Sequence, residues 1–414
     1  MSAVRFLDGN RVALLCNGEQ FFPALESAID AATFDIHLET YIYEADSVGE
    51  RIGAALIRAA QRGVCTRLLL DGVGSARLPA AFMENLRSNG VHLRVFRPER
   101  RWLQFRRSRL RRLHRKIALV DGKVGFVGGI NIVDDFSGVN REAPQFDYAV
   151  RVEGPLLAPL YKLAEHLWRV LNWSARARSY VHAEGGPPPS AARTGGELAA
   201  ETARQVQPMV WPVVHPVRAG DQTAGLAVRD NFRHRRSIEH FYIEAIHAAQ
   251  HDIVIANAYF LPGRHFRHAL VRAARRGVKV TLLLQGRSDH PFLVHTARAL
   301  YAQFLGAGIS ITEYSKSMLH AKVAVFDGEI ATVGSSNLDP FSLMLAREAN
   351  VVVRDPEFGR QLRESLEAAR REGGVELDPH HWGRRNVLAR MLSWLGYEMA
   401  RMAAGLAGLA REWR

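Results

Sequence analysis

Two copies of one pattern constrain this chain more than any other feature. The first copy reads TFDIHLETYIY, VGERIGAALIRAAQRG and VCTRLLLDG, and the second reads QHDIVIANAYF, RHFRHALVRAARRG and VKVTLLLQG. Each is a short apolar run, an amphipathic segment ending in Arg-Gly, and a second apolar run. The pattern predicts strand, helix and strand, with Gly63 and Gly277 stopping the helices. Those glycines lie 214 residues apart, too far for a solenoid unit, so a whole α/β domain is duplicated. Strands alternating with helices favour a mostly parallel sheet with helices on its faces. Between the copies, AEGGPPPSAARTGG reads as a mobile linker or loop. The expected boundaries are a first lobe at 1–173, a linker at 174–212, a second lobe at 213–372 and a basic tail at 373–414.

The duplication continues into LHRKIALVDGKVGFVGGIN and LHAKVAVFDGEIATVGSSN. Both fit His-x-Lys, four residues, Asp, six residues, Gly, two residues, Asn. The first set is His114, Lys116, Asp121, Gly128 and Asn131, and the second is His320, Lys322, Asp327, Gly334 and Asn337. In a strand, residues i and i+2 share a face, so each His-Lys pair is expected to project together. Asp121-Gly122 and Asp327-Gly328 are hairpin-turn signals. The returning strand would carry each Asn back near its His-Lys pair and make each sheet mixed.

A neutral imidazole is a nucleophile and an imidazolium a proton donor. Lys ammonium and Asn amide groups suit the charge of a phosphoryl transition state. Two His, two Lys and two Asn therefore make a site for phosphodiester exchange. No Asp/Glu/His cluster has metal-ligand spacing, so neither metal nor cofactor is expected. A lone His-x-Lys on a strand is usually a solvated surface pair, but the duplication and the Asn argue against that here. Asp121 and Asp327 have two readings, catalysis or bracing the turn they occupy. Gly128 and Gly334 read as backbone requirements. The other histidines, His37, His265 and His290 among them, read as ordinary surface or core.

Composition sharpens this picture. Only 6 of the 55 basic residues are Lys, so two motif lysines stand out against an arginine background. The formal charge is +13, and residues 94–116 alone hold eleven Lys or Arg against Glu99. Two cysteines, Cys16 and Cys65, exclude a disulfide scaffold or a Cys-built zinc site; both are expected to be buried and inert. No apolar run reaches the length of a membrane span, and the N-terminus has no signal-peptide pattern, so a cytosolic-side location is expected.

The duplicated motif resembles that of the phospholipase D superfamily, whose hallmark is a repeated His-Lys-Asp signature. NGEQFFPAL, IHLETYIYEAD, DYAVRVEGP, IANAYFLPG and TVGSSNLDPFSL are similar to bacterial cardiolipin synthases, most of all the shorter B-type enzymes without two N-terminal spans. The resemblance implies a bilobal α/β fold, two phospholipase D-like lobes related by pseudo-two-fold symmetry with both motifs at one site. It implies that one His attacks phosphorus to form a phosphohistidine while the other protonates the departing alcohol and deprotonates the incoming one. It also implies an acid after each motif that orients that motif's His, matched here by Asp147 and Glu348. The near-symmetric sequence leaves the order of the histidines open; His114 is taken as nucleophile and His320 as general acid/base. The implied reaction converts two phosphatidylglycerols to cardiolipin and glycerol. The implied location is peripheral or monotopic on the cytoplasmic face of the bacterial inner membrane.

Two regions are candidates for docking on an anionic phospholipid membrane. Arg100, Arg101, Trp102, Phe105, Arg106 and Arg107 mix guanidinium groups with aromatics beside the first motif. The tail carries Met391, Trp394 and Leu395 in an apolar stripe at helical spacing, an interfacial helix or a face packed on protein. Competing functions are a hydrolytic phospholipase D, transfer to another alcohol, and a nuclease. The basic run has few spaced stacking aromatics, so a nucleic-acid partner is not expected. The oligomeric state is not legible.

Overall fold

The structure is a computed structural model that describes residues 4–98, 111–136, 143–183, 210–215, 217–230, 236–287, 291–339, 342, 346–379, 382, 391, 395 and 397–399; over 174–183 and 291–293 it describes the backbone. In the first lobe the elements run β1 (Phe6–Cys16), α1 (Asn17–Asp30), β2 (Asp35–Thr40), α2 (Ser47–Gln61), β3 (Cys65–Asp71), α3 (Ala80–Ser88), β4 (His92–Phe96), β5 (Lys116–Val120), β6 (Val124–Gly128), β7 (Tyr148–Glu153) and α4 (Leu157–Ala183). The second lobe repeats this with β8 (Gln222–Arg229), α5 (Ser237–Ala248), β9 (Asp252–Asn257), α6 (Arg264–Arg275), β10 (Lys279–Gln285), α7 (Pro291–Ala297), α8 (Tyr301–Leu305), β11 (Ser310–Tyr314), β12 (Lys322–Phe326), β13 (Ile330–Gly334) and β14 (Glu348–Arg354). It then adds α9 (Pro356–Gly373) and β15 (Gly374–Glu376).

The helices form where the local chemistry asks for them. The Asp46 carboxylate accepts the Gly49 N–H at 2.9 Å, capping α2, a contact worth ~1 kcal/mol. Ile52, Ala55, Leu56 and Ala59 recur at helical spacing and are buried. Gly63 and Gly277 follow α2 and α6 with φ of +88° and +95°, the left-handed geometry that ends a helix at little cost only for glycine.

The strand order is β15-β11-β10-β9-β12-β13-β14-β8-β1-β7-β6-β5-β2-β3-β4. Reading outward from the central β8–β1 pair, each half is the other's counterpart, so the expected pseudo-two-fold relation holds. Strands β2, β3 and β4 are parallel, as are β9, β10 and β11. The motif hairpins add antiparallel β5–β6–β7 and β12–β13–β14. Each lobe is therefore a mixed sheet rather than a mostly parallel one.

The two halves face one another, with β13 and β14 against β6 and β7. Alternation along β5 and β12 divides the core accordingly. Ile117, Leu119, Val323 and Val325 meet between the lobes, where α4 and α9 close the layer. Ala118 and Val120 face α1 and α2, while Ala324 and Phe326 face α5 and α6. Burial of each large aliphatic in this central layer contributes ~1.5–3 kcal/mol, which ties the lobes into one unit.

Helix α4 continues to Ala183, ten residues past the expected lobe end. Trp211, near the end of the expected linker, packs against His37 and Tyr161. Cys16 and Cys65 are free and partly buried rather than fully buried. Desolvation pushes both thiols up, which lowers the share of reactive thiolate.

Candidate active site

The motif histidines do not sit on strands. β5 begins at Lys116 and β12 at Lys322, so His114 and His320 each precede their strand by two residues. Their backbones are diverted to the opposite lobe. Leu113 bridges Arg347 in parallel and Phe146 bridges Leu319. His114 N–H donates to Arg347 O at 3.1 Å, and His320 N–H donates to Phe146 O at 2.8 Å. Each lysine instead folds back on its own histidine's carbonyl. Lys116 Nζ donates to His114 O at 2.7 Å, and Lys322 Nζ donates to His320 O.

This crossing corrects the expected pairing of acids. Asp147 and Glu348 each bond a motif histidine, but in each case it is the other lobe's. His114 Nδ1 lies 3.0 and 3.2 Å from the two oxygens of Glu348. His320 Nδ1 lies 2.6 Å from Asp147 Oδ2, which is also 3.7 Å from Lys322 Nζ. A carboxylate on Nδ1 fixes the tautomer, leaving Nε2 for chemistry, and supports the imidazolium when it forms. Asp147 and Glu348 are themselves buried.

The two halves of the site differ in detail. Ser335 Oγ donates to Glu348 Oε2 at 2.5 Å. The matching position in the first motif is Gly129, where an added Cβ would lie 2.3 Å from Asp147 Oδ1, so the shorter acid is met by a residue without a side chain. Tyr41 lies with its ring 4.9 Å from the His114 ring and 5.4 Å from Lys116 Nζ; its counterpart in the second lobe is Ala258. Sequence reasoning passed over Ser335, Gly129 and Tyr41, although the mismatch between VGGIN and VGSSN marked the first two.

Electrostatics follow from burial. Burial brings Lys116 down to about 7; the Lys322 ammonium adds to this while Glu348, Asp147 and Asp71 oppose it. Burial, helped by the Lys322 ammonium, brings His320 down to about 4 against the pull of Asp147. Both lysines are buried at the base of the site, a place suited to an anionic phosphodiester.

Asn131 and Asn337 are buried on the loops just beyond β6 and β13. Asn131 Oδ1 accepts from Ile42 N–H at 3.1 Å, next to Tyr41, a bond that does not engage its Nδ2. Asn337 Oδ1 has no hydrogen-bond partner among the described residues.

Asp121 and Asp327 are not brought to the site. They lie at the far ends of β5 and β12, roughly 16 Å of extended chain from the motif lysines at ~3.3 Å per residue. Asp121 accepts from Thr33 N–H, Thr33 Oγ1, Phe34 N–H and Asp35 N–H at 2.8–2.9 Å. Asp327 accepts from Gln250, His251 and Asp252 N–H at 2.8–2.9 Å. Both adopt positive φ, 53° and 52°, so they brace the loop before β2 or β9 from a left-handed turn.

Of the expected docking residues, Arg100, Arg101, Trp102, Phe105, Arg106, Arg107 and Trp394 lie outside the described residues. Met391 and Leu395 are described, and both are exposed. Among the described residues, no helix is long and apolar enough to cross a membrane.

A crossed pair of carboxylate-held histidines over two buried lysines, on a duplicated mixed α/β fold, defines the phospholipase D class of phosphodiester-exchange site. The sequence profile of the family described as "Cardiolipin synthase, PLD-like domain" matches residues 25–168 and 242–370, and the chain belongs to that family. It is 41% identical over 360 residues to cardiolipin synthase B of Shigella flexneri, covering 87% of this chain and 80% of that one. It is 33% identical over 367 residues to cardiolipin synthase A of Pseudomonas syringae pv. syringae, covering 87% and 69%. The crystal structure of phosphatidylserine synthase from Haemophilus influenzae Rd KW20 shares the fold, with a TM-score of 0.67, 14% identity and coverage of 99% and 97%.

Proposed function

We propose that the protein is a phosphatidyltransferase that makes cardiolipin and glycerol from two phosphatidylglycerols through a phosphohistidine. The observation that carries this reading is the crossed His114–Glu348 and His320–Asp147 pairing above Lys116 and Lys322, in a chain similar to cardiolipin synthases over most of its length. His114 Nε2 attacks the donor phosphorus, and the bond from phosphorus to the glycerol headgroup oxygen breaks as His320 gives that oxygen its proton. The second phosphatidylglycerol then loses its hydroxyl proton to His320 and attacks the same phosphorus. The P–N bond breaks and neutral His114 returns. Lys116, Lys322 and the Asn131 and Asn337 amides offset the charge on the equatorial oxygens.

One observation favours exchanged roles for the histidines. His320 is brought down to about 4, the neutral form a nucleophile needs. Trapping decides between them. With an activated leaving group, a His320→Ala protein that still forms phospho-enzyme supports His114 as nucleophile, and a His114→Ala protein that does so reverses it.

Docking on an anionic membrane from the cytoplasmic face fits this chemistry, because lipid supplies a concentrated acceptor and water would give phosphatidic acid. The described residues of the tail support it. Tyr397 is buried in the second lobe with Arg267 over its ring at 5.6 Å, while Met391, Leu395 and Met399 are exposed. Incubation with phosphatidylglycerol vesicles tests the whole reading. Cardiolipin and glycerol support it, phosphatidic acid alone indicates hydrolysis, and nucleic-acid cleavage without lipid turnover sinks it.

A further inference from the structure

The two lobes differ at one corner beside the histidines. Tyr41 follows β2 and Asp71 ends β3 in the first lobe; Ala258 follows β9 and Gln285 ends β10 in the second. Thr40 pairs with Leu70, and Asn257 pairs with Leu284, so Tyr41 stands beside Asp71 and Ala258 beside Gln285. Ala256 and Leu283 belong to the layer between the lobes, and alternation puts Ala258 and Gln285 on that same face. Ala258 N–H donates at 2.9 Å to the carbonyl of Ala321, the residue between His320 and Lys322. The corner therefore adjoins the second motif as Tyr41 and Asp71 adjoin the first.

In the first lobe the corner is filled. The Tyr41 ring lies 4.9 Å from the His114 ring. The Asp71 carboxylate accepts Leu113 N–H at 2.8 Å, one residue before His114, and Val73 and Gly74 N–H at 2.8 and 3.2 Å. In the second lobe alanine replaces the ring. Gln285 is 2% exposed, and neither its Oε1 nor its Nε2 has a hydrogen-bond partner among the described residues. A small pocket lies here, with Ala258, Gln285, Val294, Ala297 and Tyr301 in its lining. It sits at the carboxyl ends of the parallel strands β9 and β10, where open α/β sheets place their ligands.

The chemistry of a ligand follows from what the amide lacks. It needs both a donor and an acceptor. A phosphate oxygen offers only an acceptor and would leave Oε1 alone. A hydroxyl both donates and accepts, so the hydroxyls of a glycerol group can meet both ends of the amide, and the apolar Val294 and Ala297 suit its carbons. Reaction geometry points the same way. In-line displacement places the departing oxygen opposite the attacking atom. With His114 attacking, that oxygen leaves on the His320 side, the side of Ala258 and Gln285.

We propose that the Ala258–Gln285 corner is the subsite for the glycerol headgroup exchanged at His320, with the Gln285 amide reading its hydroxyls. The inference rests on the phosphatidyl-transfer reading with His114 as nucleophile, and it adds a specificity-determining residue to it. The departing glycerol occupies the corner as its bond to phosphorus breaks and its oxygen takes the proton of His320. The glycerol of the second phosphatidylglycerol then enters the same place and returns a proton to His320 as its oxygen attacks.

Acceptor competition in the full chain tests it. Short-chain phosphatidylglycerol is the donor, deuterated glycerol and 1-propanol compete at equal concentration, and mass spectrometry counts labelled phosphatidylglycerol against phosphatidylpropanol. 1-Propanol keeps the carbon chain of glycerol and lacks two hydroxyls, so the product ratio reports how strongly they are read. Gln285→Met keeps the volume and removes the amide. It is expected to lower the glycerol-to-propanol ratio about tenfold and to raise the melting temperature by a few degrees, because an unpaired buried amide is gone. Ala258→Leu fills the corner and is expected to lower the glycerol-to-methanol ratio about tenfold in the matching competition. An unchanged ratio for folded Gln285→Met, in an enzyme that makes both alcohol products, overturns the inference alone and leaves Gln285 a core amide. If Gln285→Met does not fold, the ratio for Ala258→Leu decides in the same way. A wild-type chain that makes phosphatidic acid and neither alcohol product overturns the transfer reading and the inference with it.

Discussion

Glu348, the first residue of β14 in the second lobe, holds Nδ1 of His114 in the first lobe at 3.0 Å, and the reciprocal pair His320–Asp147 closes at 2.6 Å. Neither lobe contains both members of a pair, so neither is a complete catalytic unit. Glu348→Gln keeps the shape but cannot support an imidazolium. Turnover is expected to fall ~10²–10⁴-fold with little change in KM or melting temperature. A loss under tenfold in single-turnover kinetics would show that Glu348 only packs. Asp147→Asn is expected to slow both formation and breakdown of the phospho-enzyme, because the His320 it holds moves a proton in each step.

Lys116 lies at about 7, well below its ordinary ~10.4. With the folded value depressed, the unfolded chain binds this proton more tightly, so stability rises with pH between the two values. An entering phosphodiester anion reverses the burial penalty. Binding of a non-hydrolysable phosphate ester at pH 8 is therefore expected to take up about one proton. Calorimetry in buffers of different ionisation enthalpy measures the number. Lys116→Met should lose most of the uptake; wild-type binding without uptake would mean that the lysine is already charged.

Asp121 is expected to matter for stability and not for chemistry. Burial would raise its carboxyl, but hydrogen bonds from Asp35, Thr33 and Phe34 prevail and hold it below the usual range. Its contribution is present above the unfolded value of ~3.9 and fades as pH falls through the folded one. Asp121→Asn should lose about 1–3 kcal/mol at neutral pH, lower the melting temperature by several degrees, and leave turnover per folded molecule within about twofold. The difference from wild type should shrink below pH 4. A large loss of turnover in fully folded protein would restore a catalytic role.

The contrast between Asp121 and Glu348 shows which parts of the site were legible in the sequence. Strands, helix stops and hairpin turns follow from neighbours in the chain, so Gly63, Gly277 and the two Asp-Gly turns declared themselves. The His-Lys-Asn sets were legible because they occur twice. The partner of each histidine depends on how the lobes dock, which is carried by the Leu113–Arg347 and Phe146–Leu319 bridges, and no local pattern specifies those. The length of α4 was hidden by the Gly- and Pro-rich stretch that follows it. His37 and Glu39 were missed for another reason. In DIHLET they alternate with Ile36 and Leu38 as the polar side of a half-buried strand would, yet both are fully buried.

That burial leads to the last prediction. Behind the first motif, Glu39 accepts Arg115 Nε at 2.5 Å and Nη2 at 3.1 Å, and lies 2.8 Å from His37 Nε2. Burial alone would raise the Glu39 carboxyl, but Arg115 and His37 hold it near 2. The matching positions in the second lobe are Val254, Ala256 and Ala321, all in the apolar layer between the lobes. The fold therefore accepts either solution, but it cannot accept half of one. Arg115→Met strands a buried carboxylate and is expected to cost about 3–5 kcal/mol. Adding Glu39→Leu removes the stranded charge at similar volume, so the double variant should recover at least ~2 kcal/mol of that loss in denaturant unfolding. Simple additivity of the two losses would show that the pair is not an energetic unit. Arg115 sits between His114 and Lys116, so turnover adds a second readout. If the double variant is stable but slow, with KM unchanged, the network also positions the motif; if it is stable and fast, the ion pair is only one of two ways to fill the space.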